Sequence, residues 1–137
     1  MKAITKFTGI LIVSLLVMAC ATAPVKVPDR YNFDNELQEQ KAVSNLQIKG
    51  WESIDNQSLI LITNINDYYL VILQHPAISL PFAESVGITV TVDRVKSGFD
   101  RVIVADSSGT ESYIIQKMYK LTGEKQKIEI KKRLKSM

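Results

Sequence analysis

One cysteine, Cys20, and one histidine, His75, are all that the chain of 137 residues holds of the two commonest nitrogen and sulfur metal ligands. A single thiol excludes an intramolecular disulfide. A metal site needs three or four suitable ligands, and no His, Cys or carboxylate cluster accompanies His75, so neither a metal nor a cofactor is expected. His75 stands just before Pro76 at a strand end and is read as a structural or surface residue. Long apolar runs are scarce too. The longest, residues 7–18, is shorter than the about 20 residues that a membrane-spanning helix requires. No internal repeat is present, and the length has room for one domain, since domains commonly run to about 100 to 200 residues.

The first nineteen residues carry the three parts of an export signal: Lys2 and Lys6, the apolar run, then small residues around Ala19. Val17-Met18-Ala19-Cys20 resembles the lipobox of bacterial lipoproteins, in which a peptidase cleaves before a diacylglycerated cysteine. The chemistry accounts for both residue types, a small Ala19 before the scissile bond and a nucleophilic Cys20 thiol to form the thioether. Signal cleavage between Ala19 and Cys20 is therefore expected, with an S-diacylglycerol and an N-acyl chain on Cys20 as the membrane anchor. The alternative is ordinary cleavage after Ala19-Cys20-Ala21, which would give a soluble secreted protein. Because Ala21 rather than aspartate follows the cysteine, the resemblance implies the periplasmic face of an outer membrane.

Past the signal, residues 20–33 carry Pro24 and Pro28 among small and polar residues and read as a lipidated tether. Residues 34–44, rich in Glu, Gln and Lys, are expected to form a short helix capped by Asp34 or Asn35. From Leu46 the pattern turns to short apolar runs divided by turn residues, with strands expected over 46–54, 58–63, 68–74, 87–95, 101–105 and 111–119. The expected fold is mainly β, a small antiparallel β-sandwich or open barrel of about six strands filling residues 34–121.

Residues 122–137 are basic. Thr122 suits a helix cap, yet Lys127-Ile128-Glu129-Ile130-Lys131 alternates like a strand, and helix is the preferred reading. Together with Lys117 and Lys120 this segment is about +6, against about −5 for the rest of the mature chain. A solvated tail is one reading; attraction to anionic lipid or to an acidic envelope partner is the other. With so little apolar surface, deletion of residues 133–137 is expected to leave the melting temperature nearly unchanged. Nucleic acid would be an odd partner for an exported protein.

Trp51 with Ile54-Asp55, Leu59-Ile60-Leu61, Tyr69-Leu70 with Leu73 and Pro76, Leu80, and Gly98-Phe99-Asp100-Arg101-Val102 follow in an order that resembles an uncharacterised family of small exported bacterial proteins, DUF6491. The resemblance covers residues 47–121. It implies a disulfide between a cysteine after the strand-ending proline and a second in the last strand. Here those places hold Ala77 and either Ser112 or Tyr113, Tyr113 being preferred because Ile115, Met118, Tyr119 and Leu121 then match the family's apolar residues. The family has no assigned activity, so the resemblance implies no catalytic residue.

Candidate chemistry is sparse. Ser107 and Ser108 would need a base and an orienting acid to act as nucleophiles, whereas Asp106-Ser107-Ser108-Gly109 is a ready hairpin turn. Asp93, Arg94, Asp100, Arg101 and Asp106 are read as solvated charge rather than acid–base pairs. Gly98 is expected to set a bend and Phe99 to enter the core. Trp51, Tyr68, Tyr69 and Phe82 suit a core, or else a ligand groove. The expectation is a non-enzymatic, lipid-anchored binding or envelope-organising domain; the alternative is a periplasmic small-ligand binding module, and a hydrolase with an unrecognised site comes third.

Overall fold

Side chains alternate across a strand, so a strand that is apolar at every position must be covered on both faces. The runs 59–61 and 68–73 are buried at every position in the computed structural model, which describes residues 26–44, 46–64 and 67–137. The signal, Ala19, Cys20 and residues 21–25 of the tether lie outside the described residues.

The strands are β1 (Gln38–Glu39), β2 (Ala42–Ser44), β3 (Gly50–Ser53), β4 (Ser58–Asn64), β5 (Asp67–Leu73), β6 (Ser85–Ile88), β7 (Arg94–Lys96), β8 (Arg101–Asp106) and β9 (Gly109–Leu121); helix α1 (Glu124–Lys135) follows. One antiparallel sheet runs β3-β4-β5-β9-β8-β6, with β1 added to β9, and curls into a nearly closed barrel. A separate ribbon pairs β2 with β7. The mainly β, open-barrel expectation holds.

Two cores lie on opposite faces of β4, β5 and β9. Leu59, Leu61, Val71, Leu73, Ile115 and Met118 face the first, closed by Val43 and Val95 of the ribbon, Ala77 and Leu80 of the loop after β5, and Val102 and Val104 of β8. Ile60, Leu70, Ile72, Tyr119 and Leu121 face the second, covered by Tyr31, Phe33 and Leu37 from the N-terminal segment and by Ile130 and Leu134 of α1. A bulge in β9 makes this possible. The register shifts between Ile72↔Lys117 and Leu73↔Ile115, so Ile115 and Met118 face one core although three residues apart.

Several elements depart from the sequence reading. Residues 34–44 hold one helical turn, closed by Leu37 N–H donating to Phe33 O at 2.8 Å, and then β1 and β2. Pairing of Gln38 with Lys120, and burial of Val43 in the first core, override the local helical composition. The packed domain also starts earlier than residue 34. Residues Asp29–Tyr31 form a 3₁₀ turn, and Tyr31 and Phe33 are buried. The strand expected over 87–95 is two strands joined at a turn, β6 pairing with β8 and β7 with β2.

Helix is the correct reading of the terminus. Ile130 and Leu134, one turn apart, are buried while Ile128 is exposed, which a strand's alternation could not produce. Its N-cap is Gly123, at φ 144°, rather than Thr122. Thr122 instead donates its N–H to Gln126 Oε1 at 2.7 Å.

Candidate functional site

The basic terminus, singled out by charge alone, has half of its cations engaged in holding the fold together. Lys127 and Lys131 reach Glu52 of β3 at 3.3 and 2.6 Å, and Arg133 pairs with Glu36. Lys117 meets Asp34 at 2.7 Å and Lys120 approaches Asp67 at 4.0 Å. The Lys127 ammonium also lies 4.7 Å from the Tyr68 ring centroid. Hydrogen bonds from Lys131 and Lys127 hold the Glu52 carboxyl below its ordinary pKa against the opposing effect of burial. The charge segregation along the sequence thus becomes pairing in space. Lys125, Lys132 and Lys135 have no carboxylate partner among the described residues.

A different constellation gathers where β6, β7 and β8 turn. Asp100 was expected to be solvated; it is 2% exposed. Its Oδ1 accepts from the hydroxyls of Thr89 and Thr91, both at 2.9 Å, and its Oδ2 from the Lys96 N–H at 2.7 Å. Burial alone would raise its pKa; the Lys96 N–H, the two threonines and the Lys96 charge outweigh it and hold the carboxyl below the usual value. One carboxylate therefore ties the turn before β7 to the turn after it. Gly98, at φ 78°, makes the bend expected of it, and its N–H reaches Ile115 O. Phe99 does not enter the core. It is 66% exposed, because Asp100 takes the inward position of the turn.

The apex between β6 and β7 is unusual. Thr91 and Arg94 exchange backbone hydrogen bonds of 2.8 and 3.1 Å around Val92 and Asp93, whose φ angles are 48° and 69°. Positive φ at both central residues matches the tight hairpin turn that favours Asn-Gly, and a β-branched residue there is strained. Val92 is nevertheless present and 85% exposed, with Val90 at 52% beside it. Arg94 and Lys96 of β7 share a cleft with Val92, Lys41 lies next to Ser97 of the following turn and Arg101 next to Thr89; all four are exposed and form no ion pair among the described residues. Asp93 is the exposed acid of these two turns. Ser44, Val92, Asp93, Arg94 and Lys96 line a shallow cleft of about 520 Å³.

An open groove of about 370 Å³ lies elsewhere, between the loop after β5 and the β8–β9 turn. Ile78, Phe82 and Tyr113 supply its apolar surface and Asp106 and Glu111 its acidic rim. Tyr113 donates its hydroxyl proton to Glu111. Of the aromatic residues expected to group, Tyr68 and Tyr69 are buried, Trp51 is half-buried against the first core, and Phe82 alone lines the groove.

The remaining candidates are dispersed. His75 is exposed, and no metal-binding group of His, Cys, Asp and Glu occurs among the described residues. Ser108 and Gly109 cap the Asp106 carboxylate, as a hairpin turn requires. Asp93, Asp100 and Asp106 do not converge. Sequence reading missed the apex because its signal, Thr89 and Thr91 two apart followed by Gly98-Phe99-Asp100, acquires meaning only when the turns meet.

Among the described residues no helix is long and apolar enough to cross a membrane. No curated protein and no solved structure was found to match the chain. A family described as a family of unknown function, DUF6491, matches over residues 2–136.

Proposed function

The chain belongs to the family of unknown function DUF6491, and from that premise we propose that it is a lipid-anchored cell-envelope protein that works by binding rather than catalysis. Anchoring rests on the lipobox-like Val17-Met18-Ala19-Cys20, and Ala21 after the cysteine points to the periplasmic face of an outer membrane. The observation that carries the binding half is the placement of apolar side chains. Two cores of buried side chains take up most of the large apolar residues described, yet Ile78, Phe82, Val92 and Phe99 stand 66% or more exposed on turns and loops. Exposed apolar side chains grouped with charge mark interaction surfaces.

Metabolic labelling with a palmitate analogue tests the anchor. The wild type takes up label and stays in the membrane fraction; Cys20→Ala is released or keeps its signal uncut. Two or more acyl chains make anchoring stable at about 0.8 kcal/mol per buried methylene. An unlabelled wild type rules the anchor out.

A second reading, a small-ligand module, is favoured by the Phe82–Tyr113 groove, whose about 370 Å³ falls in the range of ligand sites, roughly 300 to 1,000 Å³. A thermal-shift screen of small apolar cations checks it: a hit must be lost in Phe82→Ala.

A further inference from the structure

We propose that the apex formed by the β6–β7 and β7–β8 turns docks on anionic phospholipid, with Val90, Val92 and Phe99 entering the head-group region and Lys41, Arg94 and Lys96 meeting the phosphates. The inference deepens the binding reading and rests on it, but it does not depend on lipid at Cys20.

Three features converge. Apolar side chains at the tip are exposed, Val92 the most at 85%, and an interfacial surface needs such groups to bury below the phosphates. The exposed charges beside these turns, Lys41, Arg94 and Lys96, are cationic and form no ion pair among the described residues, Lys96 acting on the buried Asp100 carboxylate without an ion-pair contact, in contrast to Lys127, Lys131 and Arg133 of α1. Charge complementarity therefore selects an anionic surface for the apex, and excludes one for the Phe82 groove, whose rim is acidic.

The third feature is rigidity achieved against local preference. Val92 holds a left-handed φ of 48°, where Asn or Gly would sit without strain. Strain that persists at an exposed position is a pointer to function. Asp100 binds Thr89, Thr91 and the Lys96 N–H together, so the two turns are positioned before any contact. Little ordering entropy is then lost on docking. The cleft lined by Ser44, Val92, Asp93, Arg94 and Lys96 gives a head-group phosphate a place beside two cations that outnumber the single acid, Asp93.

The mature chain with Cys20→Ser, produced without the signal, keeps every core residue found among the described residues, from Val27 to Leu134, and carries no acyl chain. The experiment is its co-sedimentation with vesicles of phosphatidylcholine alone and of phosphatidylcholine with phosphatidylglycerol. Binding is expected on the anionic vesicles, weakening as salt rises. Arg94→Glu with Lys96→Glu should weaken it by about thirtyfold or more, each cation contributing about fivefold at a charged surface. Val92→Gly should weaken binding while raising the melting temperature, a combination that misfolding cannot produce. Lys125→Glu with Lys132→Glu on α1 should change nothing.

Equal binding to both vesicle types overturns the proposal, as does binding indifferent to the apex variants. Loss in the α1 variant instead assigns the contact to the helix and overturns it too. Displacement by millimolar inorganic phosphate would reveal a free-anion site rather than a lipid surface. Failure here leaves palmitate labelling of the full chain untouched, so the anchor and the apex fail separately.

Discussion

Asp100 shows how much one side chain can decide. Its carboxylate satisfies two hydroxyls and one backbone N–H that would otherwise face a closed turn region. Removing one partner from a buried network leaves the others unsatisfied, at about 1 to 3 kcal/mol and more where a charge is involved. Asp100→Ala should therefore destabilise by about 3 kcal/mol, with Asp100→Asn milder because the amide oxygen still accepts; chemical denaturation of both variants checks the order. Val92 works in the opposite sense. Its left-handed backbone carries a strain of about 1 to 3 kcal/mol for a residue other than glycine. After allowance for the chain freedom that glycine loses on folding, Val92→Gly should gain about 1 kcal/mol, read as a rise in the denaturation midpoint with an unchanged slope.

At the scale of the element, α1 is a structural cover. Composition alone suggested a solvated tail, and deletion of residues 133–137 was expected to leave stability nearly unchanged. Leu134 is 1% exposed, its carbonyl accepts from Arg30 Nη2 at 3.0 Å, and Arg133 holds Glu36. Only two apolar side chains, Ile130 and Leu134, enter the second core from α1, but each buried one contributes about 1.5 to 3 kcal/mol. Leu134→Ala should cost about 3 kcal/mol, and deletion of residues 133–137 at least as much. Melting curves of the two variants decide between cover and tail; an unchanged midpoint in the deletion would restore the tail.

Across the whole molecule, two predictions follow from how distant parts meet. Ala77 faces the first core, where Tyr113 also packs, and Tyr113 pairs with the buried Val102. Ser112 faces the other way, its hydroxyl 3.4 Å from Arg101 Nη1. A disulfide should form in Ala77→Cys with Tyr113→Cys, and not in Ala77→Cys with Ser112→Cys. Closing a loop of about 35 residues stabilises by roughly 3 to 4 kcal/mol on the chain-entropy model, less the packing of the lost tyrosine. Counting free thiols in the two variants, with Cys20 removed, separates them.

The second prediction concerns pH. Asp34 is held below its ordinary pKa by hydrogen bonds from Lys117 and Tyr119, Glu52 by those from Lys131 and Lys127, and Asp100 by its network. A depressed carboxyl stabilises the fold above its unfolded value and loses that contribution as pH falls through the folded value. On the alkaline side Tyr31 and Tyr119 are raised to about 12, first by burial and then by hydrogen bonds to Asp55 and Asp34. Their contribution is full below about 10 and lost as pH climbs toward 12. Melting temperature should be flat between about pH 5 and 10 and fall on either side. Asp100→Asn should shallow the acid limb alone.

Sequence by itself determined the β class and most strand positions, because the runs 58–63 and 68–74 are short, rich in Ile, Val, Thr and Tyr, and bounded by turn residues such as Asp55-Asn56-Gln57 and Pro76. It also determined the Asp106 and Gly98 turns, whose chemistry is local. What it left undecided depended on distant partners. Residues 38–44 became strands because β9 and the ribbon offered edges and a core, overriding a helical composition. Lys127, Lys131 and Arg133 became ion-pair donors because α1 folds over Glu52 and Glu36. The apex became a candidate site because Thr89, Thr91 and Lys96 converge on Asp100, which a local pattern does not encode. A turn is specified by its own few residues, whereas burial and pairing are properties of the neighbours that folding supplies.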